Sequence, residues 1–268
     1  MTNNKRLSPQ DRKNKILKSL NNKEVVKIQE LSSALNVTRE TVRKDLYELE
    51  QEGNVTMVYG GAILNHQKNE TAYSKRMKDH QLEKRRIAQF AASLINDGDT
   101  IYLDYGTTTF MLSEELKKRK GITVVTNTLP IVNQLLHNVD INLIIPGGVI
   151  RNNEDSLFGS LAINNMNRLY VDIGFFGIAG ISKEGGLTNF HMGENDVSRL
   201  MLLHSKKKII LADHSKFGNS ALYKTADFNE ADLIITDRQP DKEIEDTIIN
   251  EGCQIEKMIN MGEDHQYG

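Results

Sequence analysis

Apolar residues in the first third of the chain recur at helical spacing in three short runs. Ser8, Pro9 and Asp11 form a helix start, with a hydroxyl to cap it, a proline at the first helical position and a carboxylate near the positive end of the dipole. Ile16, Leu17 and Leu20 follow on one face. Val25, Val26, Ile28, Leu31, Leu35 and Val37 surround a second helix, about Ile28 to Leu35, and Asn36 interrupts it. Thr38 caps a third helix, in which Val42, Leu46 and Leu49 face inward at i, i+4 and i+7. Gly53 ends that helix. Val55 to Val58, followed by Gly60 and Gly61, reads as a β-hairpin.

The pattern then changes. Residues 63–82 are mostly polar without a sustained period and read as a linker between a first domain (1–62) and a second (83–268); His66 and His80 fall in it and read as solvated. From Glu83 a helix carries Ile87, Phe90, Ala91, Leu94 and Ile95. Beyond it, short apolar runs alternate with amphipathic stretches: Thr100 to Leu103, Ile122 to Thr126, Ile141 to Ile145, Val171 to Phe176, Lys208 to Ala212 and Leu233 to Thr236. Strands alternating with helices predict an α/β fold with a largely parallel sheet, whose ligand sits beyond the carboxyl ends of the strands. The residues there are Asp104 to Thr109, Asn127-Thr128, Pro146-Gly147-Gly148, Gly177 to Gly180 and Asp213 to Gly218.

Charge separates the two parts further. Residues 1–86 hold 18 Lys and Arg against 11 Asp and Glu; the remainder holds 16 against 25, within a chain of net charge −2. A basic head on an acidic body suits nucleic acid on one side and another partner on the other. The single cysteine, Cys253, excludes an internal disulfide, and no apolar run is long enough to span a membrane, so the chain reads as soluble and cytoplasmic.

Three helices and a hairpin, with basic residues early on the third helix, make a winged helix-turn-helix. Arg39, Thr41 and Arg43 occupy turns that reach base edges in a major groove, and Lys44 suits a phosphate. Each also fits a solvated surface position, or a pair such as Glu40 with Lys44. The run from Asn36 to Leu46, with Leu49-Glu50, Gly53 and Tyr59-Gly60-Gly61-Ala62, resembles the N-terminal signature of the DeoR family of bacterial transcriptional repressors. Here Thr38 replaces the usual serine and Arg43-Lys44 the usual two arginines. Met57-Val58-Tyr59 stands where an Arg-x-His is usual, which removes a cation from the wing.

Gly106-Thr107-Thr108-Thr109, between a strand and a helix starting near Phe110, offers backbone N–H groups, hydroxyls and a helix dipole to an anion; it equally fits a capped helix start. No Gly-Lys-Ser/Thr closes it, and no Gly-x-Gly-x-x-Gly comes after a strand, which disfavours ATP and NAD. Asp104 with Gly106-Thr107-Thr108, Val125-Thr126-Asn127, Gly147-Gly148, Gly159, Asp172, Gly186-Leu187-Thr188 and Leu211 to Gly218 resemble the DeoR-type sensor domain, similar in fold to ribose-5-phosphate isomerase. The resemblance implies a phosphorylated sugar or polyol effector. Gly106, Thr107 and Thr108 would hold its phosphate, Asp104 and Asn127 would bond its hydroxyls, and Lys216 would supply a cation; Gly147 and Gly148 line the same edge. One head of this size makes too few contacts for specific binding at physiological salt, so a homo-oligomer, dimer or tetramer, is expected to present paired heads to a double-stranded DNA operator and to be released by the effector.

The competing reading is a phosphosugar isomerase-like enzyme carrying a DNA-binding head. Isomerisation needs a carboxylate base beside the carbon whose proton moves. The stretch equivalent to the isomerases' acidic motif is Phe176-Gly177-Ile178-Ala179-Gly180, which has no carboxylate; Asp104, Asp172, Asp213 and Glu194 stay as possible bases. No catalytic residue, cofactor or metal site is therefore expected. His191, His204 and His214 have no ligand spacing, and Asp213-His214-Ser215 are adjacent and so form no triad.

Overall fold

The computed structural model describes residues 8–22, 25–51, 55–58, 60–64 and 71–258. The chain divides into two compact units, residues 1–69 and 70–268.

The first unit runs α1 (Pro9–Asn22), β1 (Val25–Lys27), α2 (Ile28–Leu35), α3 (Arg39–Gln51), β2 (Val55–Val58) and β3 (Gly61–Leu64). Ser8 caps α1 through its Oγ, which accepts from the Asp11 N–H at 3.1 Å. Asn36 ends α2 in the left-handed region (φ 51°), where asparagine is tolerated, and the Val37 N–H bonds back to the Ser32 carbonyl. Thr38 accepts the Thr41 N–H at 3.2 Å and starts α3. Ile16, Leu20, Leu31, Val42, Leu46 and Leu49 meet in one core, so truncating Leu46 would cost about 2–5 kcal/mol. Val25 and Val26, expected only to flank a helix, form β1, the third strand of a β1-β3-β2 antiparallel sheet. Gly61 makes this pairing possible, since a Cβ there would lie 2.1 Å from the Val26 carbonyl oxygen. Gly53 and Tyr59 lie outside the described residues.

The second unit opens with α4 (Tyr73–Arg76) and α5 (Gln81–Ser93). It continues β4 (Thr100–Leu103), α6 (Thr107–Glu115), β5 (Ile122–Thr126), α7 (Leu129–Leu135), β6 (Ile141–Ile144), β7 (Val149–Arg151), β8 (Ser156–Phe158), α8 (Ser160–Met166) and β9 (Val171–Gly177). The last part is β10 (Gly180–Ser182), β11 (Gly186–Asn189), α9 (Met192–Leu203), β12 (Ser205–Leu211), β13 (Tyr223–Ala226), β14 (Leu233–Thr236), α10 (Lys242–Asn250) and β15 (Gln254–Lys257). The main sheet has the order β15-β14-β12-β9-β4-β5-β6, parallel throughout. Alternate side chains serve two layers: Ile101, Leu103, Ile209, Leu211 and Ile235 join the core under α5, α6 and α7, while Tyr102, Ile210, Ala212 and Ile234 join the one under α8, α9 and α10. This is the three-layer α/β fold that the alternating pattern predicts.

Two further expectations are corrected. Residues 63–82 are not one irregular connector: Ile63 and Leu64 pair with β2, and residues 71–82 carry α4, a turn and the start of α5, with Met77 packed on the core. The linker reading failed because the polar residues of α4 hide its apolar contacts. Helix α6 begins at Thr107 rather than near Phe110, so the threonines are its first turn, behind Gly106 at φ +127°.

Candidate functional site

Strand β4 enters the sheet first; β5 and β6 are laid down on one side of it, and β9, β12, β14 and β15 on the other. The topological switch point therefore lies between the carboxyl ends of β4 and β9, where open α/β sheets form a crevice. Gly177 ends β9 there, and its bare Cα lets the chains close up: a Cβ would stand 2.5 Å from the Tyr105 carbonyl oxygen. Gly106, Thr107 and Thr108 come after β4 at this point, with both threonines nearly buried; Thr109 turns its hydroxyl to the Gly106 carbonyl.

Asp104 and Asn127, expected to meet sugar hydroxyls, are fully buried and linked through one tyrosine. The Tyr102 hydroxyl lies 2.9 Å from Asp104 Oδ1 and 3.1 Å from Asn127 Oδ1, and Ser198 donates to Asp104 Oδ2 at 2.7 Å. Burial pushes the Asp104 carboxyl up to about 7 against the pull of these hydrogen bonds, with the nearby Glu194 adding to the rise. Glu194, whose place could not be read from sequence, is fully buried and accepts from Arg151 on β7 and Ser156 on β8. Gly147 and Gly148 turn the chain from β6 into the β7–β8 hairpin. That hairpin is tied to the sheet edge where the Leu157 N–H donates to the Asn127 carbonyl at 2.6 Å.

On the β12 side the site is strongly charged. Asp213 is fully buried, and its Oδ1 accepts the Ser215 N–H at 3.0 Å. Its Oδ2 has no hydrogen-bond partner among the described residues. Burial would raise this carboxyl, but Lys216, Ser215 and Lys84 outweigh it and hold it below the usual range. Lys84 is 2% exposed, and its Nζ donates to the backbone carbonyls of Arg76 and Asp79, the latter at 2.8 Å; burial pushes it down to about 8. Burial likewise lowers Lys216, which lies within electrostatic reach of Asp213, Arg76 and Glu154. Arg76 pairs with Glu154. Arg76, Lys84 and Glu154 were missed from sequence. His80, expected to be solvated, packs edge-on against His214 with ring centroids 4.5 Å apart, and His214 in turn bonds Asp237 at 2.8 Å; His66 lies outside the described residues.

Two other candidates lie elsewhere or act otherwise. Asp172 sits at the amino end of the sheet, bonded to Lys206 and to the Thr100 N–H, away from the crevice, so it is no base for chemistry there. Ser215 and His214 bond different aspartates, Asp213 and Asp237, and form no relay. Among the described residues no group of three His, Cys, Asp or Glu is placed to hold a metal ion, and no helix is long and apolar enough to cross a membrane.

In the first unit α3 presents Arg39, Arg43 and Lys44 exposed along its early turns. Arg43 reaches Glu40 only at 3.8 Å, with both side chains largely in water. Thr41 is half-buried, its hydroxyl 3.0 Å from that of Thr38 at the cap. The opposite face of α3 is fixed: Arg12 of α1 grips buried Asp45 through two N–H groups, at 2.7 and 2.9 Å, and Lys13 meets Glu48 at 2.8 Å. These pairs set the angle at which the exposed cations are offered.

Residues 12–68 match the model of the DeoR-like helix-turn-helix domain, and residues 79–238 that of the DeoR C terminal sensor domain. The chain is similar to the HTH-type transcriptional repressor GlcR of Bacillus subtilis, 37% identical over 85% of this chain and 88% of the relative. It is also similar to the glycerol-3-phosphate regulon repressor of Escherichia coli, 29% identical over 91% and 97%. A ribose 5-phosphate isomerase from Methanocaldococcus jannaschii overlaps it with a TM-score of 0.40 at 18% identity, covering 52% of this chain and 55% of the isomerase. Helix-turn-helix head, parallel-sheet body and both family models agree, and the chain belongs to the DeoR family of DNA-binding transcription regulators.

Proposed function

We propose that this chain represses a sugar- or polyol-utilisation operon and is released from its operator by a phosphorylated sugar or polyol bound at the carboxyl edge of the sheet. One observation carries the reading: the unpartnered, fully buried Asp213 Oδ2 within reach of the Lys84 and Lys216 charges. A buried acceptor without a donor costs about 1–3 kcal/mol or more, which makes it a group awaiting a ligand hydroxyl. Buried ammonium groups beside it favour an anion. A sugar or polyol phosphate carries a hydroxyl and an anion a few ångströms apart, as these groups require, and the name of the glycerol-3-phosphate regulon repressor points to the same class. Gly106, Thr107 and Thr108 add the N-terminus of α6, nine residues long, to the phosphate side. Asp104 and Asn127 form the floor with Tyr102, and Gly147 and Gly148 set the hairpin above it.

The heads meet DNA through Thr38, Arg39, Thr41, Arg43 and Lys44, with Arg39 and Arg43 at base edges and Lys44 on phosphate. One head makes too few contacts for specific binding at physiological salt, so the protein works as a homo-oligomer, in the cytoplasm with its operator. A coupling of about 1–3 kcal/mol between ligand and operator is enough to switch it. Thermal melts against sugar phosphates, their unphosphorylated parents and inorganic phosphate test this. A binder at one hundred times its Kd stabilises the fold by about 2.7 kcal/mol. A shift with one phosphorylated compound and not its parent is expected, with release of operator DNA by the same compound. A panel in which no phosphorylated compound shifts the melt sinks the reading.

A further inference from the structure

Charged residues at hairpin tips ordinarily face water. The turn between β7 and β8 does so with Asn152 and Asp155, but Glu154 is 1% exposed and turned inward. Its carboxylate pairs with Arg76, whose side chain is 17% exposed, and Lys216 feels both. A hairpin tip thus delivers a carboxylate into the cationic side of the crevice.

We propose that Glu154 is a built-in stand-in for the ligand's anionic group, holding Arg76 until a phosphate takes its place. This rests on the ligand reading above. Arg76, Lys84 and Lys216 stand among the carboxylates Asp213, Glu154 and Asp79, so Glu154 cannot leave this cluster without another anion taking over its charge, and a phosphate supplies one. The guanidinium fork of Arg76 accepts phosphate as readily as carboxylate. The exchange needs only the tip to move, because the hairpin is anchored below it: Arg151 and Ser156 hold Glu194, and Leu157 holds the Asn127 carbonyl. Glu154 therefore sets an affinity threshold, since a neutral sugar has nothing with which to compete for Arg76.

The test titrates inorganic phosphate, at constant ionic strength, into the full chain and into Glu154→Gln. The variant is expected to bind phosphate about tenfold tighter, and in the unmodified chain amide exchange over residues 151–156 is expected to quicken as phosphate saturates. Equal or weaker binding by the variant overturns the proposal. If the variant does not fold, the exchange measurement decides alone, and unchanged or slower exchange at the tip overturns it. A Lys216→Ala control separates the two failures. Phosphate binding lost in Lys216→Ala but unchanged in Glu154→Gln removes only the stand-in role, whereas phosphate binding to none of the three, together with no melt shift from any phosphorylated compound, removes the ligand reading as well.

Discussion

The recognition helix and the carboxyl edge of the sheet use the same residue types to opposite ends. On α3, Arg43 keeps 63% of its side chain in water and its nearest carboxylate is 3.8 Å away. At the sheet edge Lys84 is 2% exposed, Arg76 is paired, and both stand among buried carboxylates. Exposed cations keep their charge at little cost and attract a polyanion through released counterions, which makes the attraction strong, unselective and salt-sensitive. Buried cations are costly to leave bare and must be compensated in place, so they respond only to an anion that fits. On the function proposed above, one chain holds a reader of long charged surfaces and a reader of one small molecule, distinguished by solvent access rather than composition.

The largest effect expected from this difference is on stability. Burial lifts Asp104 from its ordinary 3.8 to about 7, so between those values the folded chain keeps a proton that the unfolded chain has released. That contribution is complete below about pH 4 and is lost as pH rises through about 7. Relative to Asp104→Asn, the unmodified protein should lose about 2–4 kcal/mol over this range. Parallel denaturation curves at pH 4.5 and 7.5 would show the carboxyl to be ordinary.

Next in size, Lys216→Ala should weaken binding of a phosphorylated ligand about a hundredfold, about 2.7 kcal/mol, while operator affinity stays within about twofold. Arg43→Ala should do the reverse, costing about 1–3 kcal/mol of operator affinity with ligand binding intact. A loss of both functions in either variant would mean the two regions are not independent readers. The smallest effect sharpens the comparison most: Lys44→Gln should reduce the slope of log affinity against log salt by about one for operator DNA. An unchanged slope would take Lys44 off the phosphate backbone.

Legibility divides in the same way. Six of the seven strands of the main sheet are visible as apolar runs, because the part of a strand covered on both faces is apolar; Lys206 and Lys207 at the exposed start of β12 lie outside the run that reveals it. The seventh, β15, alternates exposed and half-buried residues at the sheet's edge, and its Gln-Ile-Glu-Lys shows no such run. Strand β1 is three residues long and rests on a close approach at Gly61 that no local pattern reveals. In the crevice, Asp104, Gly106 and Lys216 are legible because they stand just beyond the carboxyl ends of apolar runs. Arg76 and Glu154 are 78 residues apart and meet only once the hairpin has folded over the sheet edge. The one available signal was Tyr73 and Met77, an apolar pair four apart in a stretch otherwise polar enough to pass for a connector.

The bonds from Lys84 to the carbonyls of Arg76 and Asp79 determine where such a protein can be cut and rejoined. A junction at residue 83, where the apolar pattern starts, would discard Arg76 and His80 and leave the Lys84 ammonium without the carbonyls that hold it. A junction just before residue 71 carries the whole turn with the sensor. Heads of different operator preference could then be exchanged on one sensor without rebuilding its pocket.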